Sequence, residues 1–112
     1  MRLDTLTLTA RDLDRARAFY NGKLGFRVIE DHAGRSFVVD AGGVRLHVDK
    51  DGKRAPLAQA EPRLCFHTVE VAARCTALRD LGVSVDGPRH TPDGVIAELS
   101  DPDGHPIILC ER

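Results

Sequence analysis

Leu24-Gly25-Phe26-Arg27-Val28 and Leu81-Gly82-Val83-Ser84-Val85 read alike, and so do the segments around them. Each seam follows a run of helical period and precedes strand-like runs, so the chain is two copies of one unit. An internal repeat constrains the fold more than any local propensity, because a duplicated pattern must build duplicated structure. In the first copy Leu6 and Leu8 alternate with Thr5, Thr7 and Thr9, the period of a strand. From Asp12 the period changes: Leu13, Ala16, Phe19, Tyr20 and Leu24 recur every three or four residues, with Asp12 as N-cap and Gly25 as terminator. Strands follow over 26–31, 35–40 and 44–48, separated by the turn-formers His32-Ala33-Gly34 and Ala41-Gly42-Gly43. The second copy predicts a strand over 63–69, a helix over 70–82 carrying Val71, Cys75, Leu78 and Leu81, and strands over 83–87, 95–100 and 106–112. Asp101-Pro102-Asp103-Gly104 supplies the turn into the last of these.

The pattern predicts an α+β fold: a single domain over residues 1–112 made of two βαβββ modules, 1–49 and 62–112. The connector, 50–61, has no apolar period and is rich in charge, Gly, Pro and Ala. A four-stranded sheet with one helix leaves its other face bare, and two such faces side by side make a half-open, barrel-like cleft. Parity assigns the cleft lining. Leu6 and Leu8 must meet the helix, so Thr5, Thr7 and Thr9 face the cleft, with Arg45, His47, Arg63, Cys65, His67, Ile96, Glu98, Ile108 and Cys110 by the same alternation. The parity of 35–40 and 83–87 stays open, because both faces of those runs are partly apolar.

Charge narrows the partners. Sixteen Lys and Arg stand against seventeen Asp and Glu with no basic block, so neither nucleic acid nor an anionic membrane is an expected partner. No apolar run approaches the roughly 18 to 20 residues that span a bilayer. The three cysteines, Cys65, Cys75 and Cys110, are scattered without CxxC spacing, and the N-terminus starts directly as a strand, which predicts a reduced, cytoplasmic protein.

The paired βαβββ repeat, opened by "ARDLDRARAFYNGKLGF" at 10–26 and closed by "SDPDGHPIIL" at 100–109, resembles the vicinal oxygen chelate superfamily. That superfamily includes glyoxalase I, extradiol dioxygenases, fosfomycin thiol transferases and bleomycin-resistance proteins. In its metal-dependent members a divalent ion held by His and Glu chelates two neighbouring substrate oxygens and acts as a Lewis acid. The resemblance places those ligand positions at Thr5, Arg63 and Ile108, with the remaining one near Arg45 or His47. Of these only His47 can bind a metal, and Arg63 sets a fixed positive charge where the cation would sit. The expectation is therefore a lost metal site and no cofactor, without the isomerase and dioxygenase activities that need the ion.

A relocated divalent-metal triad of His47, His67 and Glu98 is the alternative, weighed against polar residues lining a wet cleft. His67 and Glu98 are also the candidates for an acid and a base, and Cys65 and Cys110 for a nucleophile, against the simpler reading of both cysteines as small buried hydrophobes. Phe19 and Tyr20 read as core anchors, and His32, His90 and His105 as exposed turn residues. The predicted function is a metal-independent small-molecule binder of the bleomycin-resistance type. Its ligand, a drug or metabolite, would carry polar or anionic groups that two arginines can grip. An aromatic content of 4% and the lack of Trp weigh against this function, because the resemblance implies that drug-sequestering members stack planar ligands on Trp or Phe. The alternative is a lyase, isomerase or transferase of the same superfamily, and a third reading is a plain interaction module. The resemblance implies a homodimer.

Overall fold

The computed structural model describes residues 1–50, 63–92 and 94–111. The chain divides into two units, Met1–Glu61 and Pro62–Arg112. The predicted connector lies outside the described residues except for Lys50, which is the last residue of a strand instead.

In the first unit β1 (Thr5–Ala10), β2 (Arg27–His32), β3 (Ser36–Asp40) and β4 (Arg45–Lys50) form a sheet in the order β1-β4-β3-β2. The β1–β4 pair is parallel and the other pairs antiparallel. Alternation in the sequence becomes rows across the sheet. Leu6, Leu46, Val39 and Val28 pair in one row, and Leu8, Val48, Phe37 and Asp31 in another. Leu8, Leu46, Phe37, Val39 and Val48 are all fully buried on this side, each stabilising the unit by about 1.5–3 kcal/mol.

The helix on that face starts where expected. Asp12 accepts hydrogen bonds from the amides of Asp14 and Arg15, capping α1 (Leu13–Arg17). The run does not continue as a regular α-helix: Ala18–Lys23 is π-helical, with Leu24 N–H donating to the Phe19 carbonyl at 2.9 Å and Phe26 N–H to that of Tyr20 at 3.0 Å. The wider turn lets the consecutive residues Phe19 and Tyr20 both reach the core, where their rings meet edge to face at 5.1 Å. Arg17 lies over the Phe37 ring, 5.3 Å from its centre, and grips Asp31 through two hydrogen bonds of 2.8 and 2.6 Å. That hydrogen bonding raises the Arg17 pKa and holds the Asp31 carboxyl below its usual range.

The second unit repeats the topology. β5 (Leu64–His67), β6 (Asp86–Thr91), β7 (Gly94–Ser100) and β8 (Pro106–Glu111) take the order β5-β8-β7-β6, with β5–β8 parallel. Leu64, Ile107 and Leu99 form one buried row; in the next, Leu109 and Ala97 are buried and Phe66 is half-buried. α2 (Val71–Asp80) buries Val71, Cys75 and Leu78. Its N-cap, Glu70, makes no side-chain cap; Glu111, at the far end of β8, instead accepts the Val71 amide at 3.0 Å. Gly25 and Gly82, the repeat's shared glycines, both take positive φ (78° and 88°) after their helices, a conformation that favours glycine.

Two expectations fail here. The strand expected over 83–87 is displaced to Asp86–Thr91. Val83 N–H is taken by the Leu78 carbonyl at the end of α2, and the carbonyls of Val85 and Gly87 accept from Arg79, so the ladder starts later. His105, expected to be exposed, is fully buried. Asp101 Oδ1 accepts from the amides of Asp103 (2.9 Å) and His105 (2.8 Å), which folds the turn over the ring and sets its Nε2 3.9 Å from Asp101 Oδ2. His32 and His90 are exposed as predicted, though both are strand residues.

Candidate functional site

Strand parity delivers the predicted lining to the helix-free face of each sheet. In the first unit the pairing register sets out a grid. Thr5, Arg45, Asp40 and Arg27 make one row; Thr7, His47, Val38 and Glu30 the next; Thr9, Asp49, Ser36 and His32 the third. Thr5, Thr7 and Arg45 are exposed, and Thr9 and His47 half-buried. Sequence reasoning found the β1 column with Arg45 and His47 of β4, and missed Asp49 and the β2 and β3 columns. The β3 alternation is hidden because Phe37, Val38 and Val39 are all buried, and β2 slips register between Val28 and Glu30, so a strict period assigns its later residues wrongly.

The face is dense in charge of both signs. Arg45 lies 3.8 Å from Glu30, His32 3.3 Å from Glu30, and Arg27 3.8 Å from Asp40. Asp40 also accepts the amides of Gly42 and Gly43 at 3.0 and 3.1 Å, and these hydrogen bonds hold its carboxyl below the usual range. His47 Nε2 approaches Asp49 Oδ1 to 2.9 Å, but not along a hydrogen-bonding direction, so this ring nitrogen has no hydrogen-bond partner among the described residues. Beside these charges Thr5, Thr7 and Thr9 offer hydroxyls at strand spacing, about 6.6 Å apart. A flat molecule bearing oxygens at such intervals could be met by hydroxyl, guanidinium and imidazole together.

In the second unit Cys65, Ile108, Glu98 and Asp86 form one row of the helix-free face. His67, Cys110, Ile96 and Arg89 form the next. Cys65 and His67 are exposed, Glu98, Ile96 and Ile108 half-buried, and Arg63 is exposed just before β5. Cys65 is thus no buried hydrophobe, contrary to the simpler expectation, whereas Cys110 is buried. The sheet does not bring His67 against Glu98: they stand two strands apart, about 9.5 Å across the sheet, with the β8 residues between. Glu98 meets Arg89 instead, at 3.5 Å, and Arg89 also reaches Asp86 at 3.2 Å. Arg89 escaped sequence reasoning because its strand was misplaced. A shallow depression lined by Thr68, Val69, Glu70, Ala73 and Arg74 at the start of α2 contains none of the predicted residues.

At three of the positions to which the resemblance assigns metal ligands, the donor chemistry does not fit an ion; His47, near the fourth, could bind one. Thr5 presents a hydroxyl that donates to Asp4 at 2.9 Å, Arg63 a cation, and Ile108 a hydrocarbon paired with Cys65 and Glu98. Among the described residues no three His, Cys, Asp or Glu side chains converge on one point as metal ligands would. No helix among them is long and apolar enough to cross a membrane.

Two duplicated sheets with helix-free polar faces define a class, and the comparisons agree. The family model for the Glyoxalase/Bleomycin resistance protein/Dioxygenase superfamily matches residues 2–109, and the chain belongs to that superfamily. It is similar to TnmS3, an antibiotic binding protein from Streptomyces sp. CB03234, at 30% identity and a TM-score of 0.81 over 99% of this chain and 95% of that one. A glyoxalase/bleomycin resistance protein from Streptomyces sp. CB03234 is 29% identical, with a TM-score of 0.73 over 98% and 100% of the two chains. Lactoylglutathione lyase from Agrobacterium tumefaciens shares the fold at a TM-score of 0.79, 22% identity and coverage of 98% and 92%. No curated protein sequence matches the chain.

Proposed function

We propose that this chain is a metal-independent binding protein for a small, flat, oxygen-rich organic molecule, an antibiotic or aromatic metabolite. The observation that carries the reading is the grid on the first sheet. Three threonines stand beside Arg45, His47 and Asp49 on a rigid, paired surface, an arrangement that matches several ligand oxygens at once. Similarity along nearly the whole chain to an antibiotic binding protein supports it. The misfit of Thr5, Arg63 and Ile108 to a metal ion supports the metal-independent part. Assembly as a homodimer belongs to the same reading, and light scattering on the purified chain tests it.

Titration of the purified, chelator-treated protein with bleomycin and a panel of planar aromatic antibiotics tests the binding. A rise in melting temperature with at least one compound, weakened tenfold or more by Arg45→Ala and by Thr7→Val, is the expected result. No shift with any compound at millimolar concentration overturns it. The second reading, an enzyme, is favoured by one observation, the His47 Nε2 that lies 2.9 Å from Asp49 without a hydrogen bond to it and so has its lone pair or proton uncommitted among the described residues, as a base or acid requires. Mass spectrometry of the recovered ligand separates the two: an unchanged ligand supports binding and a converted one supports catalysis.

A further inference from the structure

Cys65 and Cys110 come from opposite ends of the second unit's sequence, yet their sulfurs lie 3.5 Å apart on the helix-free face. The parallel β5–β8 ladder causes this. Cys65 pairs with Ile108 and His67 with Cys110, so the two cysteines are diagonal neighbours pointing to the same side. Their exposures differ in a useful way: Cys65 is exposed, and Cys110 is buried directly beside it. The third cysteine, Cys75, is fully buried in α2.

We propose that Cys65 and Cys110 form a redox-active dithiol that closes to an intramolecular disulfide by exchange with a low-molecular-weight disulfide of the glutathione class. The exposed Cys65 thiolate attacks the small disulfide, forming a mixed disulfide and expelling one thiol. Cys110, already in contact, then attacks the Cys65 sulfur and expels the second. Two protein thiols and one small disulfide become one protein disulfide and two small thiols, and the two electrons pass from the protein to the small molecule. The sulfurs must close from 3.5 Å to about 2.05 Å, and because diagonal neighbours on paired strands have Cα atoms about 7–8 Å apart, β5 and β8 must shift toward each other as the bond forms. The bond would tie β5 to β8 and replace two thiols beside His67 with an apolar link, altering one face of the second sheet. The proposal is independent of the ligand-binding reading, since it concerns the thiols alone.

Oxidised glutathione is the reagent for the test, followed by alkylation in denaturant, intact mass measurement and tryptic mapping. The three cysteines fall on separate tryptic peptides, 64–74, 75–79 and 90–112, so the linkage is read directly. Expected is a loss of two hydrogens with no glutathione retained, alkylatable thiols falling from three to one, and a crosslink between peptides 64–74 and 90–112 that dithiothreitol reverses. Cys110→Ser is expected to arrest at a glutathione adduct on Cys65. Accumulation of that adduct in the unmodified chain, a crosslink involving Cys75, or no reaction over a day at neutral pH each overturns the proposal. The unmodified chain gives the decisive reading, so the test does not depend on a variant's folding.

Discussion

Row by row, the two sheets correspond: Leu8, Val48 and Phe37 of the first occupy the places of Phe66, Leu109 and Ala97 in the second. The large ring sits on the third strand in one copy and on the first strand in the other, fully buried as Phe37 and half-buried as Phe66. On the helix-free side the exchange is one of chemistry. His47 stands where the second sheet has Ile108, Val38 where it has Glu98, and Thr7 where it has Cys65. Away from the edge strand β2, where Asp31 meets Arg17, these helix-facing rows are held to apolar residues because they are mostly buried, whereas the opposite rows carry a weaker demand within the unit and have diverged. The lesson is that duplication preserves the pattern that folds and releases the pattern on the opposite face.

The largest expected effect tests the core half of that comparison. Phe37→Ala removes a fully buried ring and is expected to cost about 3–5 kcal/mol in urea unfolding, because Leu8 and Val48 cannot fill the space that Phe66 fills in the second sheet. Next come the turns. Asp40 and Asp101 each lead the turn between the third and fourth strands of their sheets and accept two backbone amides, but Asp101 is buried with His105 while Asp40 is only half-buried. Asp101→Ala is expected to destabilise by about 1–3 kcal/mol by taking the acceptor from the buried His105 amide. Asp40→Ala should cost clearly less, since water can replace the carboxylate; equal losses would break the contrast.

Acid gives a smaller effect. Asp31 and Asp40 both hold pKa values lowered in the folded state, so their contribution is present above the ordinary carboxylate range and is lost as the pH falls through the lowered values. Hydrogen exchange at Gly42 and Gly43, corrected for its intrinsic pH dependence, should show weakened protection over that window, and Asp40→Asn should remove the change. The smallest effects on stability belong to the proposed binding face. Arg45→Ala and Thr7→Val should each move stability by less than about 0.5 kcal/mol while weakening the ligand, a split that a purely structural role would not produce.

Alternation at Leu6 and Leu8, the helical spacing from Leu13 to Leu24 and the glycines at 25 and 82 were enough to read the βαβββ repeat, because burial on one face leaves a period in the sequence. The same parity correctly set Thr5, Thr7, Thr9, Arg45 and His47 on the helix-free face of the first sheet, and Cys65, His67, Glu98 and Ile108 on that of the second. Tertiary structure decided the rest. The slip between Val28 and Glu30 and the start of β6 at Asp86 depend on which carbonyls the neighbouring elements occupy, and no period records that. His105 is buried because Asp101 folds a turn over it, and Glu111 caps α2 from the far end of a strand. Cys65 and Cys110 meet only because β5 and β8 run parallel in one register. The sequence alone determines periodic burial, since each residue's own polarity expresses it; contacts between residues far apart in the chain arise only when the strands pair.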